Sequence, residues 1–129
     1  MALLLDSTVL IDVLRGRPAG DRVRRSRSVH GVPWVCPVSI EEVYRGMRHS
    51  EEAAVTTFFD GLRIAPFGRQ EAERAGAWRR DFAARGVTLA QADCLIAAAA
   101  LSLNAQLATG NTKDFPMSEV AVEAWPVGL

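Results

Sequence analysis

Four carboxylates of this chain stand where a parallel sheet would gather them. Asp6 follows the apolar run ALLL, and Glu42 lies just past VPWVCPV. Asp93 falls in the first turns of an alanine-rich apolar stretch, and Asp114 follows AQLAT across a short loop. A charge at the end of a buried strand costs several kcal/mol or more unless a neighbour or a cation pairs it. Each acid has an ordinary structural use. Asp6 can N-cap the helix that follows, and Glu42 can close a capping box with Ser39. Asp93 can face a helix dipole, and Asp114 can start an Asx turn. All these uses place the four on one rim, where they would repel and raise one another's pKa values. Magnesium, which prefers carboxylate oxygens and keeps several waters, relieves that repulsion. No zinc alternative is visible. His30 and His49 are isolated and read as surface residues, and Cys36 and Cys94 sit among apolar neighbours as small core residues.

The elements that must position these acids are legible in the apolar pattern. ALLL, VPWVCPV, LRIAPF and AQLAT read as short buried strands, with EVAVEAW adding a final one. Ser7 to about Leu14 reads as a helix broken by Gly16 and Pro18, and DRVRRSRSV as a second helix. SIEEVYRGMR, EEAAVTTFFDGL and the amphipathic RQEAERAGAWRRDFAARG follow as helices. TLAQADCLIAAAALSLN carries the strongest helical signal, with Thr88 and Gln91 at capping-box spacing and an apolar run from Cys94 to Leu101. Strands alternating with helices predict an α/β sandwich around a mostly parallel sheet. Ligands of such sheets bind beyond the carboxyl ends of the strands.

The chain has 129 residues, the size of one domain, and 49% of them are hydrophobic, enough for a core. Fifteen basic and 15 acidic residues cancel, so net charge neither favours nor excludes a nucleic-acid partner. LRGRPAGDRVRRSR sets Arg15, Arg17, Arg22, Arg24, Arg25 and Arg27 against Asp21 alone. Such a patch meets RNA or an acidic partner, or is simply a solvated helix face. The leading LLL is too short for a signal peptide and no stretch is long enough to span a membrane. Unpaired thiols suit a reducing cytoplasm.

Taken together, the four acidic segments resemble a known family. LLLDSTVLID resembles the first motif of PIN domains, in particular of VapC toxins. EVYRG is similar to the second motif, with Glu42 the matching acid, and ADCLIAAAAL to the third, with Asp93. LATGNTKDF resembles the fourth, which pairs a threonine, here Thr109, with an acid, here Asp114. The match runs in order along nearly the whole chain. Family members commonly read Asp-Thr-Asn where this chain reads Asp6-Ser7-Thr8. Some carry an acid where it has Asn111, so either Asn111 or Asp114 is the fourth ligand.

The resemblance implies a single PIN-like α/β/α domain over residues 1–129 and a metal-dependent endoribonuclease. Asp6 and Asp93 would be the main ligands of Mg2+, with Mn2+ a possible substitute. Glu42 and Asp114 would orient waters or hold a second ion about 3.5–4 Å from the first. Thr109 and Ser7 would position a ligand or the attacking water, or else cap the turn. Arg15, Arg45 and Lys113 are candidate phosphate contacts. The implied substrate is tRNA or ribosomal RNA, the implied partner a VapB antitoxin, and a homodimer is expected. Val55, Phe58 and Phe59 form an apolar strip, either part of a groove for that partner or core packing. Two other readings are an inert PIN scaffold that binds without cutting and a signalling receiver domain. A receiver requires a lysine after a later strand, and Lys113 beside Asp114 lacks that setting.

Overall fold

Leu3–Leu5 form the central strand, β1, of a five-stranded sheet in which every neighbouring pair is parallel. The other strands are β2 (Trp34–Val35), β3 (Arg63–Ile64), β4 (Gln106–Thr109) and β5 (Val122–Ala124), in the spatial order β3-β2-β1-β4-β5. From β1 the chain builds outward through β2 and β3, then returns to lay β4 and β5 on the opposite side. That reversal opens a crevice beyond the carboxyl ends of β1 and β4. The computed structural model describes residues 1–128.

Strand alternation sorts β1 between two layers. Leu4 and Leu107 pack against Ile96, Ala97, Trp78 and Ala75, which come from α5 (Arg69–Ala84) and α6 (Gln91–Ser102). Leu3 and Leu5 point the other way, into Val9, Leu10, Val23, Val43 and Phe59. Those residues belong to α1 (Ser7–Leu14), α2 (Ala19–His30), α3 (Pro37–Gly46) and α4 (Glu52–Asp60). The result is the expected α/β/α sandwich. Cys94 and the run Ile96–Ala100 are all buried, because a helix of alanines lets the backbone approach its neighbours on several sides.

Two local expectations are corrected. The second strand ends at Val35 rather than Ser39, because Pro37 opens α3. Proline at a first helical position is preset in φ and lacks an amide that would go unbonded there. Ser39 therefore sits inside the helix, and the expected Ser39–Glu42 capping box does not form. Likewise α6 starts at Gln91 with Ala90 at its N-cap, so Thr88 caps nothing. Of the two readings of the Val55–Phe58–Phe59 strip, core packing holds for Val55 and Phe59, although Val55 also edges a groove. Val55 and Phe59 are buried, and the Phe59 ring stacks on Tyr44 at 5.9 Å.

The arginine-rich segment is tied down largely within the molecule. Arg22 reaches Glu123 at 2.8 Å and lies over the Trp125 ring, Arg24 pairs with Asp21, and Arg17 is 3.4 Å from Asp12. Arg27 donates to the Gly61 carbonyl at 3.2 Å. Among the described residues only Arg15 and Arg25 of the six make no such bond. His30 is half-buried, its Nδ1 2.7 Å from the Met1 carbonyl, while His49 is exposed. Among the described residues no helix is long and apolar enough to cross a membrane.

Candidate active site

Asp6 directly follows β1 and occupies the N-cap position of α1, yet its carboxylate makes no capping bond. It turns instead across the crevice. Oδ2 accepts hydrogen bonds from the Thr109 hydroxyl at 2.7 Å and the Thr8 hydroxyl at 3.0 Å. Oδ1 carries no hydrogen bond among the described residues. Asp6 is only 4% exposed and Thr109 is fully buried. One oxygen of a buried carboxylate is thus anchored and the other is left to a ligand. Thr8 also accepts from the Gly110 amide at 3.0 Å, so the hydroxyl that replaces the family's usual amide still joins the first motif to the fourth.

Glu42 lies in the second turn of α3 and is held by the Ser7 hydroxyl of α1, which is itself bonded to Ser39. Ser7 Oγ is 2.8 Å from Glu42 Oε1 and 3.0 Å from Ser39 Oγ. Ser7 has one proton and a carboxylate only accepts, so Ser7 donates to Glu42 and Ser39 donates to Ser7. Ser39 is fully buried. Its spacing from Glu42 was a same-face helical signal. Read as a capping box it pointed to the helix end, and only the earlier helix start at Pro37 turns it into a prop for the acid.

Asp93 stands in the first turn of α6, half-buried, and Asp114 closes a short 3-10 turn, Thr112–Asp114. Burial, and then the charges of Asp114, Asp6 and Glu42, push the Asp93 carboxyl up to about 6. The three other acids therefore all act on Asp93. Asn111 Nδ2 donates to Asp114 Oδ2 at 2.6 Å, so the two candidates for the fourth position are bonded to each other. Among the described residues, no three His, Cys, Asp or Glu side chains form a ready-made metal cage. None of Asp6, Glu42, Asp93 and Asp114 forms an ion pair there either.

This donor set fits a hard cation. Its donors are carboxylate oxygens, one of them free on a buried acid, and their repulsion on Asp93 goes uncompensated by the protein. Magnesium keeps several waters and needs only one or two carboxylates, which suits acids too far apart for a dry cage.

Of the cationic candidates, Arg15 caps the end of α1 and lines a groove of about 290 Å³ together with Glu42, Met47 and Val55. Arg45 is exposed in the last turn of α3, and Lys113 is exposed in the turn before Asp114. Cys36 and Cys94 are buried and unpaired. Burial pushes the Cys36 thiol up to about 11 and raises that of Cys94, so neither is a nucleophile.

Comparison with known proteins bears on the family and the fold. The PIN-domain family model matches residues 3–122. Ribonuclease VapC10 of Mycobacterium tuberculosis is 36% identical over 117 residues, covering 91% of this chain and 88% of that protein. The structure of VapBC2 from Rickettsia felis bound to a promoter DNA fragment superposes with a TM-score of 0.82 at 20% identity, covering 97% of this chain and 99% of that one. A toxin–antitoxin complex from Klebsiella pneumoniae superposes with a TM-score of 0.77 at 25% identity, covering 93% of this chain and 96% of that one.

Proposed function

The chain belongs to the PIN-domain family and, within it, to the VapC ribonucleases; from this premise we propose that it is the toxin of a VapBC-type pair, a magnesium-dependent endoribonuclease that hydrolyses phosphodiester bonds in tRNA or ribosomal RNA. The observation that carries the reading is the set of four acids, drawn from distant parts of the chain, whose charges meet at Asp93 without a protein cation.

When bound, a divalent ion supplies Lewis acidity toward the scissile phosphate and lowers the pKa of water at the site. Asp6, through its free Oδ1, and Asp93 would hold it. Thr109 and Thr8 keep Asp6 turned into the crevice by bonding its other oxygen. Glu42, aimed by Ser7 and Ser39, would orient the attacking water or hold a second ion. Asp114, with Asn111 bonded to it, would do the same. Arg15, Arg45 and Lys113 contact flanking phosphates, which position the RNA without reading its sequence. Cutting falls in an exposed single-stranded segment, where bases are accessible. A VapB-type antitoxin is the partner, the working form is a homodimer, and the cytoplasm is the place of action.

The test is to incubate the partner-free protein with total RNA in magnesium or in chelator, beside Asp6→Asn and Asp93→Asn. Cutting that requires the metal and both acids supports the reading. Binding without cutting supports an inert scaffold instead.

A further inference from the structure

Asp12 is a buried acid that the proposed reaction does not use. It is 2% exposed and lies one helical turn beyond Thr8 on the same face of α1. Its Oδ1 accepts the Gly128 amide at 2.9 Å and faces Arg17 at 3.4 Å, while Oδ2 has no partner among the described residues. A buried carboxylate left partly unsatisfied is costly, so what it holds is of interest. It holds the segment that follows β5.

That segment runs over the loop leaving β4. The Trp125 amide donates to the Thr109 carbonyl at 2.8 Å. Two residues on, Val127 lies against Gly110. A Cβ at Gly110 would overlap Cγ2 of Val127 and come within 3.0 Å of its Cγ1. Gly110 is not in the left-handed backbone region, so contact, and not φ, demands glycine there. Gly110 in turn donates to Thr8, and the next amide, Asn111, donates to the Thr109 hydroxyl at 3.0 Å. Thr8 and Asp12, stacked on α1, thus grip two chain segments laid one on the other. Beneath them begins the turn that carries Asn111 and Asp114.

We propose that Asp12 is a positioning residue: by tethering the segment after β5 to α1 it seats Val127 on Gly110 and holds the Asn111–Asp114 turn at the mouth of the acidic site. The inference rests on the proposed function only in giving that turn a catalytic use. A misplacement of about 1 Å at a reacting centre can cost about a hundredfold in rate, so a brace outside the site is enough to matter.

The test reads exchange and activity separately. Amide hydrogen exchange at Gly110–Asp114 is followed in the metal-free protein for Asp12→Ala, Gly110→Ala and the double variant Gly110→Ala/Val127→Ala. Loss of a bond to a charged group should speed exchange at these amides at least about tenfold in Asp12→Ala. Gly110→Ala, which leaves Asp12 intact, should do the same by pushing Val127 away, and adding Val127→Ala should restore slow exchange. Magnesium-dependent RNA cutting should follow the same order, with kcat lowered, KM unchanged and kcat recovered in the double variant. Unaltered exchange in folded Asp12→Ala and Gly110→Ala, or no recovery in the double variant, overturns the proposal. Should the native protein not cut RNA, the proposed function fails while the exchange result still decides the brace.

Discussion

The Thr109 hydroxyl donates to Asp6 Oδ2 at 2.7 Å across 103 residues of chain, joining the ends of the two strands that flank the topological switch. Both groups are buried, so the bond is made where its loss is costly. Thr109→Val keeps the shape and deletes the donor. It should destabilise the fold by about 1–3 kcal/mol, the cost of leaving a buried acceptor short, and lower cutting. Thr109→Ser should keep most of both. Urea denaturation of the three proteins, with cleavage assays alongside, checks this; a valine variant as stable and active as the native protein counts against it.

Asp93 has the reverse energetics. Its carboxyl, pushed up to about 6 by burial and by three like charges, binds protons more tightly folded than unfolded. The folded state therefore gains relative stability as pH falls from 6 toward 4, and carries a penalty above 6. Asp93→Asn removes that penalty. The metal-free variant should be about 1–2 kcal/mol more stable than the native protein at pH 7.5, the full shift being discounted for solvent screening of a half-buried group, with the advantage gone near pH 4, and it should not cut RNA. Denaturation curves at the two pH values, and one cleavage assay, test both halves.

Metal binding should show the same proton. An ion held by Asp93 must displace it below pH 6, so magnesium affinity should weaken as pH falls through 6 and level off above it. Added magnesium should raise the melting temperature of the native protein at pH 7.5 by mass action, and Asp6→Asn and Asp93→Asn should lose that rise. A thermal shift that persists undiminished in both variants would place the ion elsewhere.

Ser39→Ala tests the hydroxyl chain behind Glu42. Removing Ser39 leaves Ser7 without its donor and frees it to turn from Glu42, so kcat should fall several-fold with the fold retained. In a Glu42→Gln background the same change should cost nothing further, because coupled residues are not additive. Equal effects in the two backgrounds would show that Ser39 acts through packing.

Much of this was legible in the chain alone. Apolar runs of strand length, each followed by a helical period, dictated a parallel α/β sandwich, since only that layering buries both faces of LLL and LAT. The acids Asp6, Glu42, Asp93 and Asp114 were visible because each follows a strand or opens a helix, and such places share one rim. Less legible was anything set by a neighbour distant in sequence. Ser39 read as a cap because its partner, Ser7, lies 32 residues away. Nothing local marked Asp12, whose partner Gly128 lies 116 residues away. The arginine patch read as free charge, although Glu123 on the last strand and Trp125 just after it were waiting for Arg22. Periodicity and residue type are local, so they determined the elements and the chemistry on offer. Hydrogen-bond partners, burial and the crowding of like charges on Asp93 arise only when folding removes water from between distant segments, and the tertiary structure alone decided them.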